Sequence, residues 1–355
     1  MLGAMADLRV AIIGYGLAGR VFHGPLVAAT PGLEVAAIVT ADPARRSQAS
    51  LAHPRAALLE TPEQVWERAG ELDAVAVAAP NAAHVPLATA AIDHGLAVVV
   101  DKPLATGADE AERLIAHAAH AAVVLTVFHN RRWDSEQLLL DQVIADGGLG
   151  TVIRYESRLE RWRPNADPHA WRERTTPAEG GGVLLDLGSH LVDQALHRFG
   201  PVADVYAEVA ARRGTPGDDD AFLALTHAGG VISHLHASTL VAAPGPRLRV
   251  LGDEAALVAT APDTQEDRLR AGERPDAVPD WGVEPEYARP RLVAGERSVP
   301  LAGPPGDWPA FYRLFGDAVR GSGRPPVDPW DAVAGLRVLE AGRVSAAERR
   351  IVTLG

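Results

Sequence analysis

The first third of the chain alternates short, wholly apolar runs with longer stretches whose apolar residues recur at helical spacing. The runs are LRVAIIG from Leu8, LEVAAIVT from Leu33, AVAVAAP from Ala74, AVVVDKP from Ala97 and VVLTVF from Val123. Runs with no polar alternation need cover on both faces, as buried parallel strands do. Between them, alanine-rich or amphipathic stretches predict helices at Arg20 to Ala29, Ala44 to His53, Pro62 to Arg68, His84 to Gly95 and Asp109 to His120. Right-handed crossovers lay such helices on both faces of one sheet, so the pattern predicts a doubly wound α/β domain over residues 7–130.

The texture changes after HNRRWD, His129 to Asp134. One helix is expected from about Trp133 to Ala145, stopped by Gly147 and Gly148. TVIRYESRL, VADVYAEVA, AFLALTH, VISHLHAS and RLRVLG then follow, closer to strict alternation and with few helices between them. Consecutive strands of this kind predict a mostly antiparallel sheet in an α+β domain over residues 131–355. Proline, glycine and charge dominate Ala261 to Pro305, which suggests irregular excursions. A terminal helix is expected over Asp331 to Glu348, apolar at Val333, Leu336, Leu339 and Val344.

Composition removes several classes of function. At 355 residues the chain exceeds the usual size of one core, in keeping with two domains. A formal charge of -12 argues against a polyanionic partner such as nucleic acid. The absence of cysteine excludes disulfides, thiolate catalysis and cysteine metal sites. No apolar run reaches the roughly 18 residues of a membrane span, and MLGAMADLRV lacks the apolar core of a signal peptide. The expectation is a soluble cytoplasmic protein. His234 and His236 share a strand face but lack an evident third ligand, so no metal site is expected.

Chemistry enters at Gly14-Tyr15-Gly16-Leu17-Ala18-Gly19, directly after the first run. Gly14 permits a tight turn, Gly16 lets backbone approach a pyrophosphate, and Gly19 allows close helix packing, while the following helix start favours the phosphate charge. A nicotinamide dinucleotide is the implied cofactor. The second run closes in neutral Thr40 and Ala41, where an acidic residue would hold the ribose and repel a 2′-phosphate. Arg45 and Arg46 then favour NADP; with Asp42 taking the ribose instead, the arginines are a solvated helix start and the cofactor is NAD. Two further runs end in Ala79-Pro80-Asn81-Ala82-Ala83-His84 and Asp101-Lys102-Pro103, and ligands bind at carboxyl ends of parallel strands. An ammonium there can hold a substrate hydroxyl and stabilise its oxygen as hydride leaves the neighbouring carbon.

Downstream, GGGVLLDLGSH, Gly180 to His190, places Asp186 and His190 four residues apart, on one face if helical. A histidine titrating near neutrality suits a base that removes the hydroxyl proton. Its glycines are expected to let the chain pass close to nicotinamide and substrate. Asn130 or Arg131 could reach cofactor or substrate at the domain junction, and Arg132 could pair with an acid. Glu160, Arg161, Trp162 and Arg163 suit a polyol, with His169 nearby, though a solvated loop is the plain alternative. Asp193 could orient His190 or cap a helix.

The order of the glycine motif, PNAAH, DKP in place of the commoner EKP, and GGGVLLDLGSHLVD resembles the Gfo/Idh/MocA oxidoreductases over nearly the whole chain. GYGLAGRVFHGPL, VVVDKP, VFHNRRWDS and the segment around DRLRAGERP are similar to its NADP-dependent scyllo-inositol dehydrogenase subgroup. The resemblance implies a Rossmann domain, then a domain whose open sheet makes dimer or tetramer contacts, with the active site between them. It implies Lys102 as substrate anchor, His190 as proton acceptor from the substrate hydroxyl and Asp186 as a partner for that hydroxyl and the imidazole. Gly14, Tyr15, Gly16, Leu17, Ala18, Thr40, Ala41, Arg45, Ala79, Pro80, Asn81, His84, Asp101, Lys102, Asn130, Trp171 and Arg172 would bind the cofactor. Lys102, Arg131, Arg161, Trp162, His169, Asp186 and His190 would bind a polyol, sugar or keto-sugar. Other members of this fold imply two alternatives, a nicotinamide-retaining glycosidase and a non-catalytic NADP-sensing regulator.

Overall fold

Valine, isoleucine and alanine fill the first sheet of the computed structural model, which describes residues 6–167 and 171–355. Its strands are β1 (Leu8–Ile13), β2 (Leu33–Val39), β3 (Ala57–Leu59), β4 (Ala74–Val77), β5 (Ala97–Asp101) and β6 (Leu125–Phe128). They run parallel in the order β3-β2-β1-β4-β5-β6. Both faces are covered, and every residue of β4 and β5 is buried. The order reverses between β1 and β4, so their carboxyl ends flank the crevice where such sheets take ligands. Strand β3 was not expected; its three residues sit at the sheet edge, too short to carry a pattern.

Among the described residues the second sheet has nine strands: β7 (Val152–Glu160), β8 (Val202–Ala210), β9 (Asp220–His227), β10 (Ile232–Ser238), β11 (Leu248–Gly252), β12 (Ala256–Ala259), β13 (Arg291–Ala294), β14 (Arg297–Pro300) and β15 (Val352–Thr353). Their order is β14-β13-β12-β11-β7-β10-β9-β8-β15, antiparallel throughout except between β7 and β10. Leu223 and Leu225 of β9 alternate into a core shared with Leu191 and Val192 of helix Gly188–Phe199 and with Val333, Leu336 and Leu339 of helix Pro329–Glu348. Val344 departs from the expected apolar face and is exposed; its neighbour Ser345 is the buried residue of that turn, accepting from Ala207 N at 2.9 Å.

Two regions depart from the sequence pattern. Residues 261–305, expected to be irregular, contain the helix Gln265–Arg270 and the hairpin β13–β14, whose strands are largely exposed on both faces and so carry no apolar alternation. Helix Pro309–Val319 was not anticipated. Its Phe311, Tyr312 and Phe315 are fully buried, together with Trp308, against Val10, Ile12, Leu26 and Phe128 of the first sheet and its first helix. The chain thus returns late to close one face of the first sheet. Smaller shifts are at helix ends: the expected Trp133 to Ala145 begins at Ser135 after a 3₁₀ turn at Asn130–Trp133. Among the described residues no helix is long and apolar enough to cross a membrane.

Candidate active site

The three glycines of the first motif do different things. Gly14 has φ +97°, and a Cβ there would lie 2.4 Å from the Ala78 carbonyl oxygen, so the tight turn against β4 admits no side chain. A Cβ on Gly19 would lie 2.0 Å from the Gly14 carbonyl oxygen, which fixes the close packing of the helix start. Gly16 is different: the nearest atom to its Cβ position is Arg45 Nη1, 3.9 Å away. Packing does not require glycine there, whereas backbone approach by a pyrophosphate does. The helical stretch beginning at Ala18 opens one π-helical turn and continues as an α-helix from Gly24 to Ala29. These residues fit a dinucleotide.

At the end of β2, Thr40 is buried and Ala41 exposed. The Asp42 carboxylate caps the next helix by accepting from the Arg45 backbone N–H at 3.0 Å. Its other oxygen lies 3.8 Å from Arg45 Nε, leaving this guanidinium largely exposed above the glycine turn. Arg46 turns away, toward the carbonyls of Thr40 and Leu58 at 3.5 and 3.4 Å. Of the two arginines, only Arg45 faces the phosphate-binding turn.

Beyond β4, Ala79 and Pro80 remain partly open. The polar groups around them are already engaged. Asn81 Nδ2 donates to the Gly180 carbonyl at 2.7 Å. The His84 ring is fully buried, with its two nitrogens 2.7 Å from Pro103 O and 2.9 Å from Ala79 O. The His84 side chain therefore ties the loops after β4 and β5 together. Tyr15 is likewise buried, edge-on to His53 with ring centroids 6.1 Å apart. Its backbone, rather than its ring, borders the turn.

Lys102 follows β5, and its Nζ lies 2.6 Å from both the backbone oxygen and Oδ1 of Asp186. Asp101 next to it is buried. Burial alone would raise its carboxyl, but His23 and Lys102 hold it below the usual carboxylate range. His23 Nε2 is 3.8 Å from Asp101 Oδ1, and His23 Nδ1 is 2.6 Å from the Tyr312 hydroxyl. The lysine thus stands on a charged, desolvated base built from both ends of the chain.

Asp186 and His190 come from two consecutive helices, Val183–Asp186 and Gly188–Phe199, joined at Leu187. Both side chains reach a cavity of about 340 Å³, lined also by Leu17 and Ala18 of the glycine turn, Lys102, Asn130, Arg131 and Arg161. His190 is 8% exposed, and its Nδ1 is buried without a hydrogen-bond partner among the described residues. Burial, then the positive charges of Lys102 and Arg131, push its pKa well below the ordinary histidine value. The ring is therefore neutral at neutral pH and can accept a proton. The structure brings Lys102, Asp186 and His190 together against one end of the dinucleotide crevice.

Other sequence expectations are corrected. Asp193 does not orient His190: it forms a two-pronged pair with Arg132, at 2.9 and 2.6 Å, and its Oδ1 lies 3.8 Å from His129 Nε2. The glycines of Gly180–Gly182 do not face the cavity. Their Cβ positions are occupied by Asn81 Cβ at 2.7 Å, Thr175 O at 2.1 Å and Asp218 Oδ2 at 2.2 Å, so they let the segment pack on its own protein. Trp162 points outward, 57% exposed. His169 lies outside the described residues, as do the side chains of Trp171 and Arg172.

The cavity also holds residues that sequence reasoning missed. Glu266 and Arg270 of helix Gln265–Arg270 pair at 2.7 Å, and Glu266 also binds Arg131 at 2.5 Å. Arg131 further lies over the Trp308 ring, 5.8 Å from its centroid. Phe22, Phe128 and Trp308 supply apolar wall. The only early signal was the family-like segment around DRLRAGERP, whose position in space was not visible.

Comparison with known proteins agrees with this architecture. Residues 8–129 match the oxidoreductase family with NAD-binding Rossmann fold, and residues 138–258 match the GFO/IDH/MocA C-terminal domain. The oxidoreductase YdgJ of Escherichia coli is 36% identical, with 98% of this chain and 99% of YdgJ aligned. The scyllo-inositol 2-dehydrogenase (NADP(+)) IolW of Bacillus subtilis is 32% identical over 98% of this chain and 96% of its own length. Among solved structures, the Bacillus subtilis oxidoreductase YvaA superposes with a TM-score of 0.91 at 31% identity, covering 99% of each chain.

Proposed function

From the chain's membership of the Gfo/Idh/MocA oxidoreductases, an NAD-binding Rossmann family, we propose that it moves hydride between a cyclic polyol, sugar or keto-sugar and NADP. The observation that carries this reading is the convergence of Lys102, Asp186 and His190 on a cavity that includes the glycine turn. In this reading residues 7–130 hold the dinucleotide and residues 131–355 complete the substrate site and the oligomer contacts.

The nicotinamide, when bound, accepts or supplies the hydride. The protein does the rest. Lys102 Nζ directs its positive charge at the reacting oxygen and stabilises the charge that builds there as the C–O bond order changes. His190, neutral at rest, takes the hydroxyl proton during oxidation and returns it during reduction. Asp186, 2.6 Å from Lys102 Nζ, holds the ammonium and offers an acceptor to a neighbouring hydroxyl. The apolar walls of Phe22, Phe128 and Trp308, the last two buried, keep water from the reacting carbon. Arg45, exposed above the turn with no acid closing β2, supports NADP through a 2′-phosphate contact. The similarity to a relative named as an NADP(+)-dependent scyllo-inositol dehydrogenase supports the same assignment.

A panel of inositols, aldoses and their keto forms, assayed with NADP and NAD at the nicotinamide absorbance, tests this. Turnover is expected with NADP, falling about 1,000-fold or more in Lys102→Ala and His190→Ala, which retain NADPH binding. Failure to bind either dinucleotide would overturn the reading. Glycoside cleavage without net reduction would replace it with the nicotinamide-retaining glycosidase.

A further inference from the structure

The cavity adjoins a second space of about 480 Å³ whose wall holds six arginines, Arg131, Arg158, Arg161, Arg163, Arg247 and Arg270, beside the carboxylates of Glu160, Asp263, Glu266 and Asp267. Four of these six are neutralised. Arg131 and Arg270 share Glu266, Arg247 lies 3.4 Å from Glu136, and Arg158 lies 3.3 Å from Glu156. Arg161 and Arg163 are not: neither guanidinium has an ion pair or hydrogen bond among the described residues. Both line this space and the cavity of Lys102 and His190.

Their placement is rigid. The chain runs on past β7 in extended form, with Arg161 N donating to Ser238 O at 2.9 Å, Val241 N donating to Arg161 O at 3.0 Å and Arg163 N donating to Thr239 O at 2.8 Å. Trp162 between them bridges to Leu240 and turns outward. Alternation then sets the two guanidinium stems on one side, about 7 Å apart. Arg161 is half-buried, and loss of water, with Arg163 and Arg131 as like-charged neighbours, lowers its pKa although Glu266 and Asp186 oppose this. A partly desolvated cation with no carboxylate in direct contact is costly unless a ligand supplies one. In a chain of formal charge -12, such a pair is a local exception.

We propose that Arg161 and Arg163 form a subsite for an oxyanion on the substrate, a carboxylate or a phosphate, so that the preferred substrate is an acidic sugar or polyol rather than a neutral one. The proposal rests on the hydride-transfer reading for what happens at the other end of the cavity. There Lys102 and His190 address a hydroxyl, while the anion fixes which carbon is presented.

The test compares kcat/KM with NADP for glucose, glucuronate and glucose 6-phosphate, and for myo-inositol and its phosphate. Binding of malonate and inorganic phosphate to the NADPH-loaded protein is followed by calorimetry. One anionic form is expected to exceed its neutral counterpart by about 10- to 100-fold, the value of one or two charge-assisted hydrogen bonds. Comparison of the two acidic arms separates carboxylate from phosphate. Arg161→Met and Arg163→Met should each raise KM for the acidic substrate about 10-fold or more with NADPH binding retained, and Arg161→Lys should restore part of the loss. Equal turnover of neutral and acidic forms, or anion binding unchanged in Arg161→Met, would overturn the subsite and leave the dehydrogenase reading standing. Arg161-dependent anion binding without turnover of any sugar or polyol would keep the subsite and overturn the assigned reaction.

Discussion

His190 and Arg45 illustrate how a residue's surroundings decide its chemistry. A free histidine is half protonated near pH 6.5, but His190 is desolvated and faces Lys102 and Arg131, so its protonated form is disfavoured. Because its pKa is depressed, the neutral base persists as pH falls and is lost only below 6.5. For oxidation in the free enzyme, the acid limb of kcat/KM should therefore lie below pH 6.5, and its disappearance in His190→Asn would assign it. A limb at pH 7 or above would exclude this histidine as the base. Arg45 makes a weaker, exposed contribution: with only a 3.8 Å approach to Asp42, it remains available to a 2′-phosphate. Arg45→Ala should lower kcat/KM for NADP about 10-fold and leave NAD little changed. Equal losses with both cofactors would show that Arg45 does not read the phosphate.

At the scale of elements, the two glycine runs look alike in sequence and differ in space. Gly16 borders open crevice, whereas Gly182, at φ +92°, has Asp218 Oδ2 2.2 Å from its Cβ position. Gly16→Ala should melt within about a degree of the parent protein yet weaken NADPH binding about 10-fold or more. Gly182→Ala combines a strained backbone with a clash and should cost about 2–4 kcal/mol, seen as a lowered Tm. Reversal of these two patterns in calorimetry and NADPH titration would reverse the assigned roles. The distinction could not be read from the chain: glycine marks where a side chain is forbidden, and only neighbouring atoms say whether protein or ligand forbids it. Asp193 teaches the same lesson, since three-residue spacing put it near His190 in sequence while the Arg132 guanidinium took it in space.

At the scale of the whole molecule, the junction of the two sheets is an ionic cluster. Asp134, Glu136 and Asp263 are buried around Arg131 and Arg247, with Trp308 Nε1 donating to Asp134 Oδ1 at 2.8 Å. Carboxylates outnumber the cations. Burial, followed by the charge of Glu136, raises Asp134 to about 7. A carboxyl raised in the native state binds a proton that the unfolded chain has released, so this group's contribution to stability falls as pH rises from about 4 to about 7 and is flat above, with a slope near 1.4 kcal/mol per pH unit. Buried histidines with depressed pKa, among them His84, His129 and His190, act in the opposite direction over the acid range. The readout is therefore the stability difference between the parent protein and Asp134→Asn, whose amide oxygen can still accept from Trp308. That difference should shrink between pH 5 and 7.5 in denaturant titrations; a constant difference would mean that Asp134 is ionised throughout.

The sequence by itself determined five of the six described strands of the first sheet, the glycine turn, the mostly antiparallel character of the second sheet and the candidacy of Lys102, Asp186 and His190. Each depends on short-range pattern: apolar runs for buried strands, glycines at fixed offsets, and polar groups where strands end. Tertiary structure decided what lies opposite them. Helix Pro309–Val319 on the first sheet, Glu266 and Arg270 in the cavity, Asn81 on the Gly180 carbonyl and the shared carboxylate cluster all join residues far apart in the chain. Local spacing carries no information about such pairs, because burial and charge pairing are set by which distant segments pack together. The same holds for Arg161 and Arg163: alternation put them on one side, but only the fold left their guanidinium groups without a direct ion pair among the described residues.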